Sequence, residues 1–122
     1  SQEDSMQLNH LNLCVEDLAE ARTFFQNCFD FQLLEQKGEA LAIMNDGHGF
    51  TLVLSKLRAT HTYPKDFHIG FLLGTSDQVD QMYQRLAAAK IRLTQEPRKL
   101  RGSYGFYFTA LNNLLFEVSS SL

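Results

Sequence analysis

The sequence contains two stretches of the same kind, Asn9-His10-Leu11-Asn12-Leu13 and Phe67-His68-Ile69-Gly70-Phe71, and they decide the predicted fold. In each stretch a histidine lies among alternating apolar residues, which is typical of a β-strand with one buried face. Amphipathic helical patterns follow at 17–30 and 76–90, and each is followed by three strand-like segments. The sequence therefore predicts the order strand-helix-strand-strand-strand, twice.

The boundaries of these elements come from alternation, turn residues and caps. Either Glu16 or Asp17 is the candidate N-cap of the first helix, and Ser76 is the candidate N-cap of the second. Lys37-Gly38 and Asn45-Asp46-Gly47 are turn signals between strands. The predicted strands are 7–15, 31–36, 40–44, 50–55, 67–73, 91–95, 105–109 and 114–119.

Length and composition limit the classes of protein to be considered. At 122 residues with 44% hydrophobic residues, the chain is long enough for one ordinary domain with a sizeable core. We expect residues 1–5 to be a disordered tag or terminus and 6–122 to form the single domain. Its two modules are predicted at 6–56 and 66–122, joined by a linker at 57–65.

Charge and cysteine content exclude several partners. The net charge is −3 and no stripe of Lys or Arg is present, so we expect no nucleic-acid partner. The longest apolar runs are strand-sized, so we expect no membrane partner, and no signal-peptide pattern is seen. Cys14 and Cys28 match no zinc motif and are predicted to be reduced, packed side chains, which favours a cytoplasmic location.

Three residues are candidate metal ligands because of the strand faces on which they lie. Alternation places His10, His68 and Glu117 opposite strongly apolar faces. A carboxylate within an apolar strand is costly to bury unless it is paired or bound to a cation. Two imidazoles and one carboxylate leave open positions on a divalent metal, although a strand histidine is also common as a hydrogen-bonded structural residue. His48 and His61 lie in turn or linker segments and are predicted to be on the surface.

These features together resemble the vicinal-oxygen-chelate superfamily, which includes the glyoxalases, bleomycin-resistance proteins and dioxygenases. The first strand, Asn9–Val15, its following Asp17-Leu18 and the aromatic end of the helix at 24–31 are all similar to that family. So are His68 at the start of the fifth strand and Glu117 in the last hairpin. The resemblance implies an α+β fold in which two tandem βαβββ modules form a curled, mostly antiparallel sheet around a metal site.

The chain also departs from the family pattern. Four-ligand glyoxalase I enzymes carry a Glu on the fourth strand, and the matching stretch 50–55 has no carboxylate, which argues against glyoxalase I proper. Three ligands are more similar to fosfomycin-resistance thiol transferases and to extradiol dioxygenases. The usual final turn, Asp-Pro-x-Gly-Asn, is replaced by residues 110–114, where Asn113 can adopt the left-handed backbone of the family glycine.

The resemblance implies one divalent metal ion, Mn, Fe, Ni, Zn or Mg, bound by His10, His68 and Glu117. The expected activity is that of a metal-dependent thiol transferase, lyase or dioxygenase acting on a small oxygen-rich substrate, and the expected assembly is a homodimer. The alternative is a metal-free protein of the bleomycin-resistance type that binds an antibiotic or another small ligand.

Further residues are candidates for the substrate site. Tyr107 is predicted on the face of Glu117, where it would orient a substrate oxygen, act as a catalytic acid, or simply be a half-buried tyrosine with one hydrogen bond. Asn12 and Thr51 are candidate substrate-binding residues on the first and fourth strands. Arg98 and Arg101 belong to a basic loop that either holds an anionic substrate or is a solvated surface.

Overall fold

The computed structural model describes residues 5–59 and 61–122. The predicted terminal segment 1–5 therefore lies, except for Ser5, outside the described residues, as does Thr60 of the predicted linker. The chain divides into two compact units, 1–59 and 60–122. In the described residues each unit contains one helix and one open, four-stranded mixed sheet, so the predicted α+β fold of two βαβββ modules is confirmed.

The first unit begins with a strand that pairs with the last strand of the same unit. Its elements are β1 (His10–Val15), α1 (Leu18–Phe29), β2 (Gln32–Lys37), β3 (Leu41–Asn45) and β4 (Thr51–Lys56). The strand order is β1-β4-β3-β2, with β1 parallel to β4 and the other pairs antiparallel. Of the two candidate N-caps, Asp17 is the one observed, because its side chain accepts a hydrogen bond of 3.0 Å from the backbone N–H of Glu20.

One face of this sheet and one face of α1 form the core of the first unit. Leu13, Met44 and Leu54 lie on the buried sheet face, and Phe25 projects from the helix. The buried side chains of α1 are Leu18, Ala21, Phe24, Phe25 and Cys28. This helical spacing is the apolar stripe that the sequence predicted.

The second unit repeats the order of elements. Its elements are β5 (His68–Leu73), α2 (Ser76–Ala88), β6 (Arg98–Leu100), β7 (Ser103–Ala110) and β8 (Leu114–Ser121). The strand order is β5-β8-β7-β6, again with one parallel pair, β5 with β8. Phe106, Phe116 and Val118 are fully buried in its core, together with Leu86 of α2. In the described residues no helix combines the length and the apolar character that a membrane span requires.

The structure corrects four predictions about local structure. Residues 91–95 were predicted as a strand but form none, and the strand at this position is β6. The two-residue turn Arg101-Gly102, with Gly102 at φ 66°, pairs Leu100 with Ser103 and so fixes the register. The basic residue Arg98 is therefore on a strand instead of a loop.

The other two corrections concern a helix cap and a cysteine. Thr75, and not Ser76, is the N-cap of α2, and it forms a capping box with Gln78. Cys28 is buried as predicted, but Cys14 is exposed because it lies on the face of β1 that α1 does not cover. No disulfide links Cys14 and Cys28.

The turn between β7 and β8 has three consecutive residues with left-handed backbone. The φ angles of Leu111, Asn112 and Asn113 are 52°, 62° and 71°. The prediction for Asn113 is thus confirmed. Left-handed backbone is unfavourable for most L-residues and least so for Gly and Asn, so this turn is sensitive to β-branched substitutions.

We predict that Asn113→Val lowers the free energy of unfolding by about 1–2 kcal/mol, because Val tolerates the left-handed region poorly. Asn113→Gly is expected to leave it within about 0.5 kcal/mol of the wild-type value. Urea denaturation measures both, with Thr109→Val on the exposed face of β7 as the control. Equal stability of the Val and Gly variants would contradict the assigned backbone conformation.

Candidate functional site

The second sheet has one face that packs against α2 and one that α2 does not cover, which we call its open face. This open face brings together three of the predicted site residues. In β8 the residues Leu114, Phe116 and Val118 are buried, and Glu117 lies on the opposite face. The register places Glu117 between Gly70 of β5 and Tyr107 of β7. Since cross-strand partners share a face, this face carries the carboxylate of Glu117 at its centre.

His68 lies on the same face, two residues before Gly70. Its side chain is oriented by a hydrogen bond to a backbone carbonyl. Its Nδ1 is 2.9 Å from the carbonyl oxygen of Asp66. A carbonyl oxygen can only accept, so Nδ1 carries the proton and donates it. In the neutral ring Nε2 then has a free lone pair, which is the form in which histidine binds a metal.

Tyr107 contacts both of the other side chains on this face. Its hydroxyl donates a hydrogen bond to the carboxylate of Glu117, and this bond, together with burial and the negative charge of Glu117, raises the pKa of Tyr107 above its usual value. Its ring meets that of His68 edge to face, with centroids 5.9 Å apart at 70°. On the other side of the carboxylate, a Cβ at position 70 would lie 3.6 Å from Oε1 of Glu117. The glycine therefore leaves space beside this oxygen.

The open face of the first sheet carries His10, Asn12 and Thr51. Nδ1 of His10 is 2.9 Å from Oδ1 of Asn9, so Nδ1 donates and Nε2 has a free lone pair, as in His68. Thr51 is the register partner of His10 on β4. Asn12 accepts a hydrogen bond of 2.9 Å from the hydroxyl of Ser55. Its amide N–H₂ group is thereby oriented away from Ser55.

The predicted triad is distributed over both units, with His10 in the first and His68 and Glu117 in the second. Within residues 5–59 and 61–122 no group of three or more His, Cys, Asp or Glu side chains is arranged to hold a metal ion. The three-residue ligand set therefore stays a prediction. His48 and His61 are exposed, as the sequence predicted.

The two arginines occupy different positions in the second sheet. Arg98 is exposed on β6 and is the register partner of Gly105, which shares the face of Tyr107. Arg101 is exposed in the turn between β6 and β7. Gly105 is required because a Cβ at this position would collide with the carbonyl oxygen of Val118. A role of Arg98 and Arg101 in binding substrate stays a prediction.

Sequence reasoning missed the residues that orient the histidines. Asn9 precedes His10 directly, and an amide next to a candidate ligand was the available signal. Asp66 acts through its backbone carbonyl, which any residue at that position would supply, so its identity gave no signal.

Comparison with protein families and solved structures agrees with this architecture. The family model described as Glyoxalase/Bleomycin resistance protein/Dioxygenase superfamily matches residues 7–118. The chain belongs to this superfamily. No curated protein matches the chain significantly.

Several solved structures of the superfamily are similar over nearly the whole chain. One, described as a possible glyoxalase from Bacillus cereus, is 38% identical with a TM-score of 0.82, and the match covers 93% of this chain and 98% of that one. A variant of the fosfomycin resistance protein FosX from Listeria monocytogenes, complexed with Mn(II) and 1S,2S-dihydroxypropylphosphonic acid, is 25% identical with a TM-score of 0.77 and coverages of 97% and 92%. Lactoylglutathione lyase from Agrobacterium tumefaciens, at 20% identity, TM-score 0.75 and coverages of 96% and 95%, shares the fold.

We predict that the neutral ring of His68 is protonated at Nδ1 and unprotonated at Nε2 in the metal-free protein. The reason is the bond from Nδ1 to the carbonyl oxygen of Asp66. Long-range ¹H–¹⁵N correlation spectra distinguish the two tautomers, and His68→Gln identifies the signal. A ring protonated at Nε2 would contradict the geometry described above.

Proposed function

We propose that the protein is a divalent-metal-dependent enzyme of the glyoxalase and dioxygenase type, with His10, His68 and Glu117 as the metal ligands. The observation that carries the proposal is that His68 and Glu117 lie on the same face of the second sheet, with Nε2 of His68 offering a free lone pair. In the first unit His10 is oriented in the same way by Asn9. Two neutral imidazoles and a carboxylate are a suitable donor set for Mn, Fe, Ni, Zn or Mg.

When bound, the metal would supply Lewis-acid chemistry, by polarising an oxygen of the substrate. The task of the protein is to present the ligands in the correct protonation state and to leave coordination positions open. The backbone carbonyl of Asp66 and the side chain of Asn9 perform the first task for the histidines. Gly70, which has no side chain next to Glu117, helps with the second.

The substrate class in this proposal is a small molecule rich in oxygen atoms. Asn12 directs its N–H₂ group away from Ser55 and is suited to an oxygen acceptor of the substrate. Thr51 lies beside His10, and its hydroxyl can serve the same purpose. Arg98 and Arg101 are suited to an anionic group, and the FosX variant bound to a phosphonic acid supports an anion. Thiol transfer, lyase and dioxygenase reactions all remain within this proposal.

The second candidate is a metal-free protein that binds an antibiotic or another small ligand, as in the bleomycin-resistance members of the superfamily. The observation that favours it is the lack of a preassembled metal-binding group in the described parts of the chain. The two candidates differ in whether the chain binds a metal at all, and that difference can be measured directly.

The experiment compares the metal content of wild type, His68→Ala and His48→Ala after loading with Mn²⁺ and removal of excess ion. We expect about one ion per chain in the wild type and in His48→Ala, which removes an exposed histidine outside the site. We expect His68→Ala to lose it. If Mn²⁺, Ni²⁺, Zn²⁺ and Fe²⁺ all fail to bind to wild type, the metalloenzyme is excluded and the ligand-binding candidate is favoured.

The proposed assembly is a homodimer, which the resemblance to superfamily members of this length implies. Several large apolar side chains are exposed, among them Leu8 at 87% and Leu72 at 75%, and a second copy would cover such residues. Light scattering at micromolar concentration is expected to give twice the 13.9 kDa mass of one chain. A monomer mass would contradict the dimer.

A further inference from the structure

Tyr107 connects two of the proposed metal ligands within a single sheet. Its hydroxyl donates to the carboxylate of Glu117 on β8, and its ring contacts the ring of His68 from β5. The three side chains come from three strands of one unit, and the register of these strands is continuous. Tyr107 therefore constrains the carboxylate and the imidazole at the same time.

We propose that Tyr107 is a positioning residue that orients Glu117 and His68 for a divalent metal, and not the acid of the reaction. This inference rests on the proposed function, because it assumes that these two residues are ligands. A carboxylate that accepts one hydrogen bond has lone pairs left for a metal, and the bond removes rotational freedom of the side chain. Glu117 is thus held in one orientation before any metal arrives.

The hydroxyl of Tyr107 is poorly suited to donate a proton to a substrate. Its only proton is already donated to the carboxylate of Glu117. Transfer to a substrate would first have to break the bond to the carboxylate. A hydroxyl that is engaged in this way suits a residue that keeps a ligand in place.

The backbone at Tyr107 is fixed well enough for this role. Its neighbours Phe106 and Phe108 are 0% and 3% exposed and pack on the opposite face of β7. The strand pairs with β8 along its whole length, from Ser103 to Ala110. Because the backbone is immobilised on both sides of residue 107, the position of the hydroxyl depends on few remaining torsions.

The same strand offers a matched control, Tyr104. Its hydroxyl also donates to a carboxylate, Oδ1 of Asp80 at 2.6 Å, and this bond likewise raises the pKa of Tyr104. Tyr104, however, is in register with Ser120 and lies on the face of β7 that α2 covers. A Tyr104→Phe variant therefore loses a hydrogen bond of the same kind, but on the face of β7 opposite to the one that Tyr107 and Glu117 share.

The experiment measures the affinity for Mn²⁺ by calorimetry, and the thermal stability of the metal-free protein, in wild type, Tyr107→Phe, Tyr107→Leu and Tyr104→Phe. We expect Tyr107→Phe to weaken Mn²⁺ binding by about tenfold, the lower end of the range for residues that orient metal ligands. Tyr107→Leu, which also loses the ring contact with His68, is expected to bind more weakly than Tyr107→Phe. Tyr104→Phe is expected to keep the wild-type affinity.

Stability separates positioning from a general structural effect. If Tyr107 is a positioning residue, Tyr107→Phe and Tyr104→Phe lower the unfolding temperature by similar amounts and differ only in Mn²⁺ affinity. Wild-type affinity in Tyr107→Phe, or an equal loss in Tyr104→Phe, would overturn the positioning role while leaving the metal site intact. Failure of wild type itself to bind Mn²⁺, Ni²⁺, Zn²⁺ or Fe²⁺ would overturn the proposed function and this inference together.

Discussion

The site depends on the period-two alternation of side chains in β8. Leu114, Phe116, Val118 and Ser120 face the core of the second unit, and this leaves Glu117 on the open face. A register shift of one residue would move the carboxylate under α2, where burial of an unpaired charge costs several kcal/mol. The apolar core therefore fixes the face on which the proposed ligand lies. The same alternation places His68 on the open face of β5 and His10 on the open face of β1, because Ile69 and Leu13 pack toward the helices.

Much of the fold could be predicted because the spacing of apolar and polar side chains along the sequence distinguishes strands from helices and shows which face is buried. The stripe of α1, the strands β1, β5 and β8 and the left-handed Asn113 all follow from residue types at known spacing. The segment 91–95 was predicted wrongly because Ile91 and Leu93 alternate like a strand, whereas pairing is decided by the turn at Gly102, which aligns β7 with Arg98–Leu100. Cys14 was predicted as packed because cysteine is often buried. Its position in β1, however, places it on the exposed face of the strand, whereas Leu13 and Val15 lie on the buried face.

The sequence predicted which side chains share the open face of the second sheet, but it did not predict their contacts. His68, Glu117 and Tyr107 are brought to one face as expected, because strand register and alternation carry that information. The bond from Tyr107 to Glu117 depends on the side-chain torsions of both residues, and the bond from His68 to Asp66 uses a backbone carbonyl. Neither leaves a signature in the sequence. Three roles were open for Tyr107 from the sequence: orienting a substrate oxygen, acting as an acid, or being a half-buried tyrosine with one hydrogen bond. Its hydroxyl donates to Glu117, which is the basis for the proposed positioning role, and a role in catalysis stays a prediction.

The central claim is that two imidazoles and one carboxylate of this chain bind the same divalent ion. X-ray absorption spectroscopy on the Mn²⁺-loaded protein tests it most directly, because imidazole rings produce characteristic multiple scattering. We expect a first shell of oxygen and nitrogen that contains two imidazoles in wild type and one in His10→Gln or in His68→Gln. A shell without imidazole scattering, or a shell that neither substitution changes, would contradict the account.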